Sequence, residues 1–492
     1  MSQYLMGIDL GTSSVKVLLI DVDGNILGIR ANSYEIQSIR SGWAEQDMDR
    51  LWEATAAAIR ELLAGTGIDP GCIKGIGLSG QMHGLVLLNR DRKLIRPAII
   101  WIDQRSAPQL EALCRSGMDR RFQETTLNTP GTGFYVSSLL WMKEQEPENY
   151  RHIWKALLPK DYIRYRLCGT IGTEETDASG TLIFDTSKRV WAESLAERVG
   201  LDPQIFPDCH TSCETAGEVT AECARATGLA QGIPVMFGGG DQPMQAVGNG
   251  MIGPGIICAN IGTGSQLSCV VDRPLFDPAY RTNTFCHVGG TWTIMGASLN
   301  GGIALNWLRD NFFQGNGYAS LNHSIEEVPA GSDGLIFLPY LAGERSPHMD
   351  SGAKAIFFGL TLRHNYKHFA RAVMEGVTFS LREAMEIFYE LGISCDRVVA
   401  SGGGAKSRCW LQIQADILGK EIYTSKCKEE ACLGAAMIAG VGAGVYRSLG
   451  EACDQLVSYR EEVIYPQRKN CEVYESQFQK YRQIYPCNRS LF

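Results

Sequence analysis

The sequence predicts an α/β protein that is divided into two domains of similar topology. The first observation is length, because 492 residues exceed the roughly 250–300 that one hydrophobic core usually organises. The second is an alternation of strand-like and helix-like segments in both halves of the chain. The third is a repeated pattern of apolar strand, Gly/Thr/Ser turn and second strand, which begins at residue 4 and returns at residue 257.

The first half opens with a predicted antiparallel meander. Residues 4–9 and 15–21 are apolar runs joined by the turn Gly11-Thr12-Ser13-Ser14. A short turn between two β-rich runs is typical of successive antiparallel strands. An amphipathic helix is expected next at residues 47–63, with strands at 73–78 and 85–89 and mixed helical sequence up to residue 200.

The second half repeats the opening device around the turn Gly262-Thr263-Gly264-Ser265. Gly11 and Gly262 are 251 residues apart, which is the length of a domain rather than of a solenoid repeat. The elements expected after this turn are a helix at 366–391, a strand at 397–400, helices at 409–418 and 431–442, and a capping helix with a loose end within 459–492. We therefore predict an N-terminal domain at 1–246, a C-terminal domain at 247–450 and a terminal segment at 451–492.

Charge and composition exclude several functional classes. The formal net charge is −8, and no block of five or six like charges occurs, which disfavours a nucleic-acid binder or a polybasic membrane anchor. No run of 18 apolar residues and no signal-like start is found, so we expect a cytoplasmic protein without a membrane partner. The sixteen cysteines lack a Cys-x-x-Cys pair, which favours reduced thiols over a zinc site. A homodimer is left open, because no apolar stripe is separable from the core pattern.

Glycine-rich turns follow apolar runs at four points: Gly11–Ser14, Gly238–Asp241, Gly262–Ser265 and Gly402–Ala405. Glycine permits tight turns, and backbone N–H groups and Thr or Ser hydroxyls can donate to phosphate oxygens. The turns fit neither the Walker pattern nor the dinucleotide G-x-G-x-x-G pattern. One Gly-Thr-x-Ser turn is more often an ordinary hairpin, but its duplication favours two opposed turns that hold a polyphosphate.

Charged residues at predicted strand ends are candidates for catalysis. Asp9 and Lys16 flank the first turn and offer a carboxylate for a metal and a cation for phosphate. Asp241 follows three glycines and an apolar run. It could accept the proton of a hydroxyl that attacks a γ-phosphoryl group, or it could cap the next helix.

Two further segments are candidates for binding a substrate. His83, in the turn Gly80-Gln81-Met82-His83-Gly84, could hydrogen-bond a polyol, although a histidine in a loop is more often an ordinary surface residue. Trp101, Asp103 and Arg105 by themselves predict a buried tryptophan beside a local ion pair.

Together these segments resemble the FGGY family of carbohydrate kinases, within the actin and sugar-kinase superfamily. The resemblance spans residues 7–442 and rests on six motifs: residues 7–13, 43–47, 101–105, 239–241, 343–347 and 402–407, with the sequences GIDLGTS, WAEQD, WIDQR, GGD, GERSP and GGGAKS. It implies two RNase H-like domains, with ATP and a sugar meeting in the cleft between them. It also implies that the cleft closes around a magnesium-bound nucleotide.

The resemblance implies roles for individual residues. Asp241 is the expected catalytic base, and it is expected to contact Mg²⁺ together with Asp9, which acts through water. The expected ATP-binding residues are Thr12, Ser13, Lys16, Gly262, Thr263, Gly264, Gly302, Leu305, Asn306, Gly403, Gly404, Ala405 and Arg408. The expected sugar-binding residues are Gln81, Met82, His83, Trp101, Asp103, Asp241 and Gln242.

Within the family, residues 80–84 and 157–162 look most like the xylulose kinases. Glycerol kinases carry an Arg-Glu pair where this chain has Met82 and His83. Gln242 departs from the Asn typical of xylulose kinases, and Ile102 stands where Asn is common. The expected reaction is in-line transfer of the ATP γ-phosphoryl group to the 5-hydroxyl of D-xylulose.

Two alternatives stay open at this point. The first is a kinase of the same family for another ketose or polyol, such as ribulose, erythritol or a ketohexose. The second is an actin-like regulatory ATPase, which would keep the phosphate turns but would have no reason to keep a sugar pocket.

Overall fold

The computed structural model describes residues 3–313 and 318–492. In the first half, the strands are β1 Tyr4–Leu10, β2 Ser14–Asp21, β3 Ile26–Ser33, β4 Glu45–Gln46, β5 Ile73–Gly80, β6 Val86–Leu88, β7 Ala98–Ile99, β8 Lys155–Leu157, β9 Thr173–Glu174, β10 Phe184–Asp185, β11 Val190–Trp191, β12 Cys209–His210, β13 Thr215–Glu218, β14 Pro234–Met236 and β15 Gly239–Gly240. The helices are α1 Met48–Thr66, α2 Ala107–Arg115, α3 Asp119–Thr126, α4 Tyr135–Gln145, α5 Pro147–Arg151, α6 Pro159–Cys168, α7 Glu175–Ser179, α8 Glu193–Arg198, α9 Ala221–Thr227 and α10 Asp241–Gly248.

The second half contains fewer and longer elements. Its strands are β16 Gly255–Ile261, β17 Ser265–Val271, β18 Asn283–Cys286, β19 Trp292–Ser298, β20 Ile336–Leu338, β21 Ile356–Phe358, β22 Cys395–Gly402 and β23 Ile422–Thr424. Its helices are α11 Gly302–Phe312, α12 Tyr318–Glu326, α13 Tyr366–Glu390, α14 Arg408–Leu418, α15 Glu430–Gly442, α16 Leu449–Leu456 and α17 Arg468–Asn488.

Each half is organised around a mixed sheet that begins with the expected meander. The first sheet has the order β13-β14-β5-β1-β2-β3, with β15 also beside β5. Strands β1, β2 and β3 pair in antiparallel fashion, while β5 is parallel to β1 and β14 is parallel to β5. Helix α1 begins after Asp47, whose carboxylate accepts from the N–H groups of Asp49 and Arg50, and it buries Leu51, Ile59 and Leu62.

The second sheet repeats this topology. Its order is β18-β19-β17-β16-β22-β23, in which β16 and β17 form the antiparallel pair and β22 is parallel to β16. Strands β22 and β23 therefore occupy the places that β5 and β14 occupy in the first sheet. The predicted α/β fold with two similar sheets is confirmed.

Helix α15 follows the second sheet in the chain but packs against the first. A Cβ at Gly7 of β1 would lie 1.9 Å from the carbonyl oxygen of Cys432, and one at Gly77 of β5 would lie 1.9 Å from that of Ala435. The same helix crosses α10, where a Cβ at Gly434 would lie 2.0 Å from the carbonyl oxygen of Met244. These close approaches fix α10, and Asp241 at its start, against the N-terminal sheet.

The C-terminal tail is better packed than its sequence indicates. Tyr474, Phe478 and Tyr481 of α17 are buried in the core of the second sheet. A 3₁₀ turn at Arg489–Leu491 follows the helix directly, in place of the expected loose end. Over the two described ranges, no helix has both the length and the apolar character needed to cross a bilayer.

Candidate active site

Three strand ends of the N-terminal sheet meet at one edge. Asp9 near the end of β1 is paired with Ser79 of β5, and Ser79 is paired with Gly239 of β15. Asp241 directly follows β15 and begins α10. The carboxyl ends of parallel strands are the usual place for ligands in α/β sheets. Asp9 and Asp241, which are distant in sequence, are therefore brought to one site.

Asp9 is held by neighbours on both sides. The Ser79 hydroxyl donates to Asp9 Oδ1 at 2.6 Å. Desolvation between the packed strands raises the pKa of Asp9, an effect that the Ser79 hydrogen bond and the charge of Lys16 oppose. Lys16 itself forms an ion pair at 2.5 Å with Glu429, which directly precedes α15.

Asp241 is the first residue of α10 and not its cap. The N-cap position belongs to Gly240, and Asp241 Oδ1 accepts from the N–H of Gln242 at 2.8 Å. Desolvation and the nearby charge of Asp9 raise the pKa of Asp241 to about 7. A carboxylate whose pKa lies near neutrality is suited to accept a proton from a substrate hydroxyl.

The Asp9 and Asp241 carboxylates fit a hard divalent cation. The charge of Asp9 raises the pKa of Asp241, so the two carboxylates repel each other and a cation between them would relieve that repulsion. Mg²⁺ is usually bound by one or two carboxylates together with waters and substrate phosphates. The donor set present here therefore matches magnesium bound with a nucleotide.

The first glycine-rich turn is held in place from outside its own hairpin. The carbonyl oxygen of Thr12 accepts from Gln46 Nε2 at 2.6 Å, and its hydroxyl accepts from Trp101 Nε1 at 2.9 Å. Ser13, the next residue, is exposed. The turn is thus anchored by Gln46 and Trp101 while Ser13 stays open to solvent, which is compatible with a phosphate site.

The second glycine-rich turn is clasped by the start of α11. The N–H groups of Gly301 and Gly302 donate to the carbonyl oxygens of Thr263 and Gly262, at 3.0 and 2.7 Å. Gly262 and Thr263 are themselves exposed. This turn belongs to the C-terminal sheet and the first turn to the N-terminal sheet, so the predicted pair of turns comes from opposite sheets.

The other residues expected to bind ATP lie in different surroundings. Gly403 and Gly404 follow β22 beside Ile261, since a Cβ at Gly404 would lie 2.8 Å from the Ile261 Cβ. Leu305 is buried in the C-terminal core. The partly exposed Asn306 lies next to it on α11, while Ala405 packs against the edge of that core. Arg408 forms an exposed ion pair with Glu462 at 2.8 Å.

His83 is held as a neutral imidazole. Its Nδ1 lies 2.7 Å from the carbonyl oxygen of Gly180, which can only accept, so Nδ1 carries the proton and Nε2 is an acceptor. Burial lowers the pKa of His83 to about 4. Phe134 packs at 4.2 Å between ring centroids and Phe285 at 6.0 Å.

Met82 connects this turn to β15, the strand that directly precedes Asp241. A Cβ at Gly240 would lie 2.7 Å from Met82 Cγ, so the Met82 side chain rests on the backbone beside Asp241. The preceding residue, Gln81, donates through Nε2 to Gln46 Oε1 at 2.7 Å. The Gln81, Met82 and His83 turn is therefore linked through Gln46 to the first glycine-rich turn and through Met82 to the residue before Asp241.

Trp101 and Asp103 lie in different surroundings. Trp101 is 42% exposed, so the expectation of a buried tryptophan is wrong, because its indole N–H extends to Thr12 at the rim of the turn. Asp103 is 1% exposed and forms the expected ion pair with Arg105 at 2.7 Å. Its carboxylate also accepts from the N–H of Ala44 at 2.6 Å.

Gln242 contacts the opposite half of the molecule. Its Oε1 accepts a hydrogen bond from Nε2 of Gln266 on β17. The Gln242 amide, which is expected to bind a sugar hydroxyl, therefore already has a hydrogen-bond partner in the C-terminal sheet.

Family models and solved structures agree with this arrangement. The N-terminal domain model of the FGGY family of carbohydrate kinases matches residues 4–248, and its C-terminal domain model matches residues 258–443. The chain belongs to the FGGY family of carbohydrate kinases. The gap between the two models falls between the end of α10 and the early part of β16.

Relatives of this FGGY chain match over nearly their whole length. A xylulose kinase of Bacillus subtilis (strain 168) is 36% identical over 490 residues, which cover 99% of this chain and 98% of the relative. A ligand-bound xylulose kinase from Lactobacillus acidophilus has a TM-score of 0.94 at 28% identity and covers 99% of this chain and 98% of its own. A gluconate kinase from the same organism has a TM-score of 0.94 at 27% identity, with the same coverage. The FGGY fold is therefore shared by kinases with different names.

Several residues of this FGGY site could not be found from the sequence. Ser79 and Gln266 contact Asp9 and Gln242, but each lies on a separate element. Phe134 and Phe285 flank His83 from distant parts of the chain. Ser79 had one available signal, because it ends a predicted strand directly before the Gly80–Gly84 turn.

Proposed function

We propose that this protein is an ATP-dependent kinase that transfers the γ-phosphoryl group of ATP to the 5-hydroxyl of D-xylulose, giving D-xylulose 5-phosphate and ADP. Membership of the FGGY family supports the reaction class. The full-length relatives named xylulose kinase support the sugar.

The position of Asp241 is the observation that carries this proposal. The charge of Asp9 acts on Asp241, and Met82 packs against Gly240, the residue directly before Asp241. We assign Asp241 as the base that accepts the proton of the attacking hydroxyl. Phosphoryl transfer asks little covalent work of a protein, so positioning and charge neutralisation account for most of the rate.

The two glycine-rich turns are assigned to the nucleotide. Thr12 and Ser13 from one sheet, and Gly262 to Gly264 from the other, can donate to phosphate oxygens without adding formal charge. Lys16 is a nearby cation, although Glu429 shares its charge. We assign the adenosine side to Gly302, Leu305, Asn306, Gly403, Gly404, Ala405 and Arg408.

Asp9 and Asp241 are the residues that would hold Mg²⁺, with Asp9 acting through water. When bound with the nucleotide, the ion neutralises charge that develops on the transferred phosphoryl group. Asp9 stays anionic more readily because of the Ser79 hydrogen bond, which lowers its pKa against the effect of desolvation.

The sugar is assigned to the space beside His83. The neutral imidazole can accept a hydrogen bond from a sugar hydroxyl through Nε2, and the Met82, Phe134 and Phe285 side chains supply an apolar surface for the carbon chain. Trp101 and Gln242 complete the proposed pocket, with Gln81 behind the turn. Asp103, which the resemblance places among the sugar-binding residues, is buried and already paired with Arg105, so we propose that it supports the segment that carries Trp101.

The domain limits, the cell compartment and the oligomeric state remain proposals. We propose domains at 1–246 and 247–450 with a terminal segment at 451–492, a cytoplasmic location and a homodimer. Light scattering after gel filtration tests the homodimer directly.

Replacement of Asp241 tests the assigned chemistry. Asp241→Asn keeps the side-chain volume but removes the base, so kcat for sugar phosphorylation should fall by about 10²- to 10⁴-fold. ATP should still bind with near wild-type affinity, as measured by calorimetry. Turnover within a few-fold of the wild type would refute the base assignment.

A further inference from the structure

A cluster of buried ionisable side chains lies behind the segment Phe237–Gly240, which leads to Asp241. We call it the Lys160 cluster; its members Lys160, Asp161, Arg164, Glu174 and Asp177 are all 0% exposed. Lys160 Nζ lies 3.0 Å from Asp161, 3.5 Å from Glu174 and 3.5 Å from Asp177. Arg164 pairs with Asp161 at 2.8 Å.

Stability alone does not account for the Lys160 cluster. Removing five ionisable side chains from water is costly, and well-packed apolar side chains of similar volume often stabilise a protein as well or better. The contacts of the cluster point instead to positioning, because several of them end on the segment Phe237–Gly240 that leads to Asp241.

Three contacts hold this segment. Lys160 Nζ donates to the carbonyl oxygen of Phe237 at 3.3 Å. The Arg164 guanidinium lies 4.4 Å from the centroid of the Phe237 ring. The N–H of Gly240 donates to the Thr176 hydroxyl at 2.9 Å.

Thr176 connects the Lys160 cluster to Gly240 through hydrogen bonds. Its hydroxyl accepts from Gly240 and donates to Glu174 Oε1 at 3.0 Å. Glu174 in turn accepts from the N–H groups of Thr176 and Asp177, at 2.7 and 3.0 Å, and so caps α7. An amide, a hydroxyl and a carboxylate are thus joined in one chain behind Asp241.

The segment Phe237–Gly240 depends on contacts from other elements to fix its backbone, because three of its four residues are glycine. Gly238, Gly239 and Gly240 have no side chains to fix the backbone, and Gly238 adopts a φ of 79°. A Cβ at Gly238 would lie 2.2 Å from the carbonyl oxygen of Leu78, so glycine is required there. Glycine loses more conformational freedom on folding than other residues do, and hydrogen bonds from outside can restrict it.

We propose that Thr176, backed by Glu174 and Lys160, is a positioning residue that sets the location of Asp241 for phosphoryl transfer. The inference rests on the proposed function of Asp241. Thr176 acts through the Gly240 amide and does not touch the reacting atoms. A displacement of about 1 Å in a reacting group can cost about 10²-fold in rate, so one hydrogen bond beside the base can matter.

Matched threonine variants test this role in the full-length protein. Thr176→Val keeps the shape but removes both hydrogen bonds, and it should lower kcat by about 10- to 100-fold with the KM values for sugar and ATP changed less than about 3-fold. Thr176→Ser keeps the hydroxyl and should restore kcat to within about 3-fold of the wild type. Thr55→Val is the control, because Thr55 is also fully buried but its hydroxyl donates to Leu51 of its own helix.

Two results would overturn the proposal. One is a Thr176→Val protein with the wild-type kcat. The other is a Thr176→Val protein in which kcat and both KM values change together, in the same way as in the Thr55→Val control. If Thr176→Val does not fold by circular dichroism, Glu174→Gln replaces it, with a smaller fall in kcat expected at unchanged KM. Wild type and Asp241→Asn are assayed beside these variants with the same sugars. A wild type that phosphorylates no sugar refutes the proposed function, whereas an active wild type with an indifferent Thr176 refutes only the positioning role.

Discussion

At the scale of single residues, His83 shows how the fold fixes a protonation state. The Gly180 carbonyl selects the proton on Nδ1, and burial lowers the pKa to about 4, so the ring is neutral at physiological pH. The sequence predicts His83 as a candidate for sugar binding. It could not predict the tautomer, because Gly180 lies on a distant loop.

Replacing His83 should affect the sugar more than the nucleotide. His83→Ala removes the Nε2 acceptor, and a buried hydroxyl left without a partner costs about 1–3 kcal/mol, so the KM for the sugar should rise by about 5- to 100-fold. The exposed His152 provides the control variant His152→Ala, which should change neither constant. Steady-state kinetics with each substrate varied in turn gives the answer. An equal rise in the KM for ATP would remove His83 from the sugar pocket.

At the scale of elements, the crossing of α10 and α15 determines where Asp241 lies. The Ala/Gly-rich sequence of α15 predicts close packing against a sheet, and that packing is present. The sequence could not indicate which sheet, because α15 follows the C-terminal sheet in the chain yet packs on β1 and β5. Helix and strand positions follow from local apolar periodicity, whereas this docking depends on backbone contacts between distant segments.

A single methyl group added at this crossing should lower the stability of the protein. Gly434→Ala places a Cβ 2.0 Å from the Met244 carbonyl oxygen, so the helices must separate and the free energy of unfolding should fall by about 1–3 kcal/mol. Gly253→Ala, where no atom lies within 4 Å of the added Cβ, should change it by less than about 0.5 kcal/mol. Urea unfolding measures both. Equal stability of the two variants would contradict the close crossing.

A buried carboxyl group on α13 gives the stability of the protein a pH dependence. Burial raises the pKa of Glu383 on α13 from 4.5 to about 8, and Tyr340 lies within hydrogen-bond distance at 3.3 Å. A raised folded-state pKa means that the folded protein binds the proton more tightly. The stability from this group is therefore full below about pH 4.5 and is lost as the pH rises through about 8.

The variant Glu383→Gln isolates this effect. It cannot titrate, so the melting temperature of the wild type should fall relative to the variant as the pH rises from 5 to 9. Glu386→Gln, one turn further along α13 and less buried, serves as the control and should track the wild type. Parallel pH profiles for wild type and Glu383→Gln would show that Glu383 is not protonated in the folded protein.

At the scale of the whole molecule, the duplicated turn is the feature of the sequence that predicts most. Two Gly-Thr turns 251 residues apart predict two similar sheets, and the sheets have matching strand orders. The sequence could not predict the contact between Gln242 and Gln266, because this contact joins α10 to a strand of the other sheet. This contact offers a physical reason why the chain has Gln at position 242 where Asn is typical of xylulose kinases, because the longer Gln side chain extends its amide to the C-terminal half.

The most direct test of the central claim is a coupled assay of ADP release with Mg-ATP against D-xylulose, D-ribulose, L-ribulose, L-xylulose, D-fructose, erythritol, glycerol and gluconate. We predict that D-xylulose gives the highest kcat/KM and that ADP release without a sugar is slow. A preference for another acceptor would contradict the assignment of D-xylulose and attribute the departure at Gln242 to changed specificity. ADP release that ignores every acceptor would contradict the kinase itself and favour an actin-like regulatory ATPase.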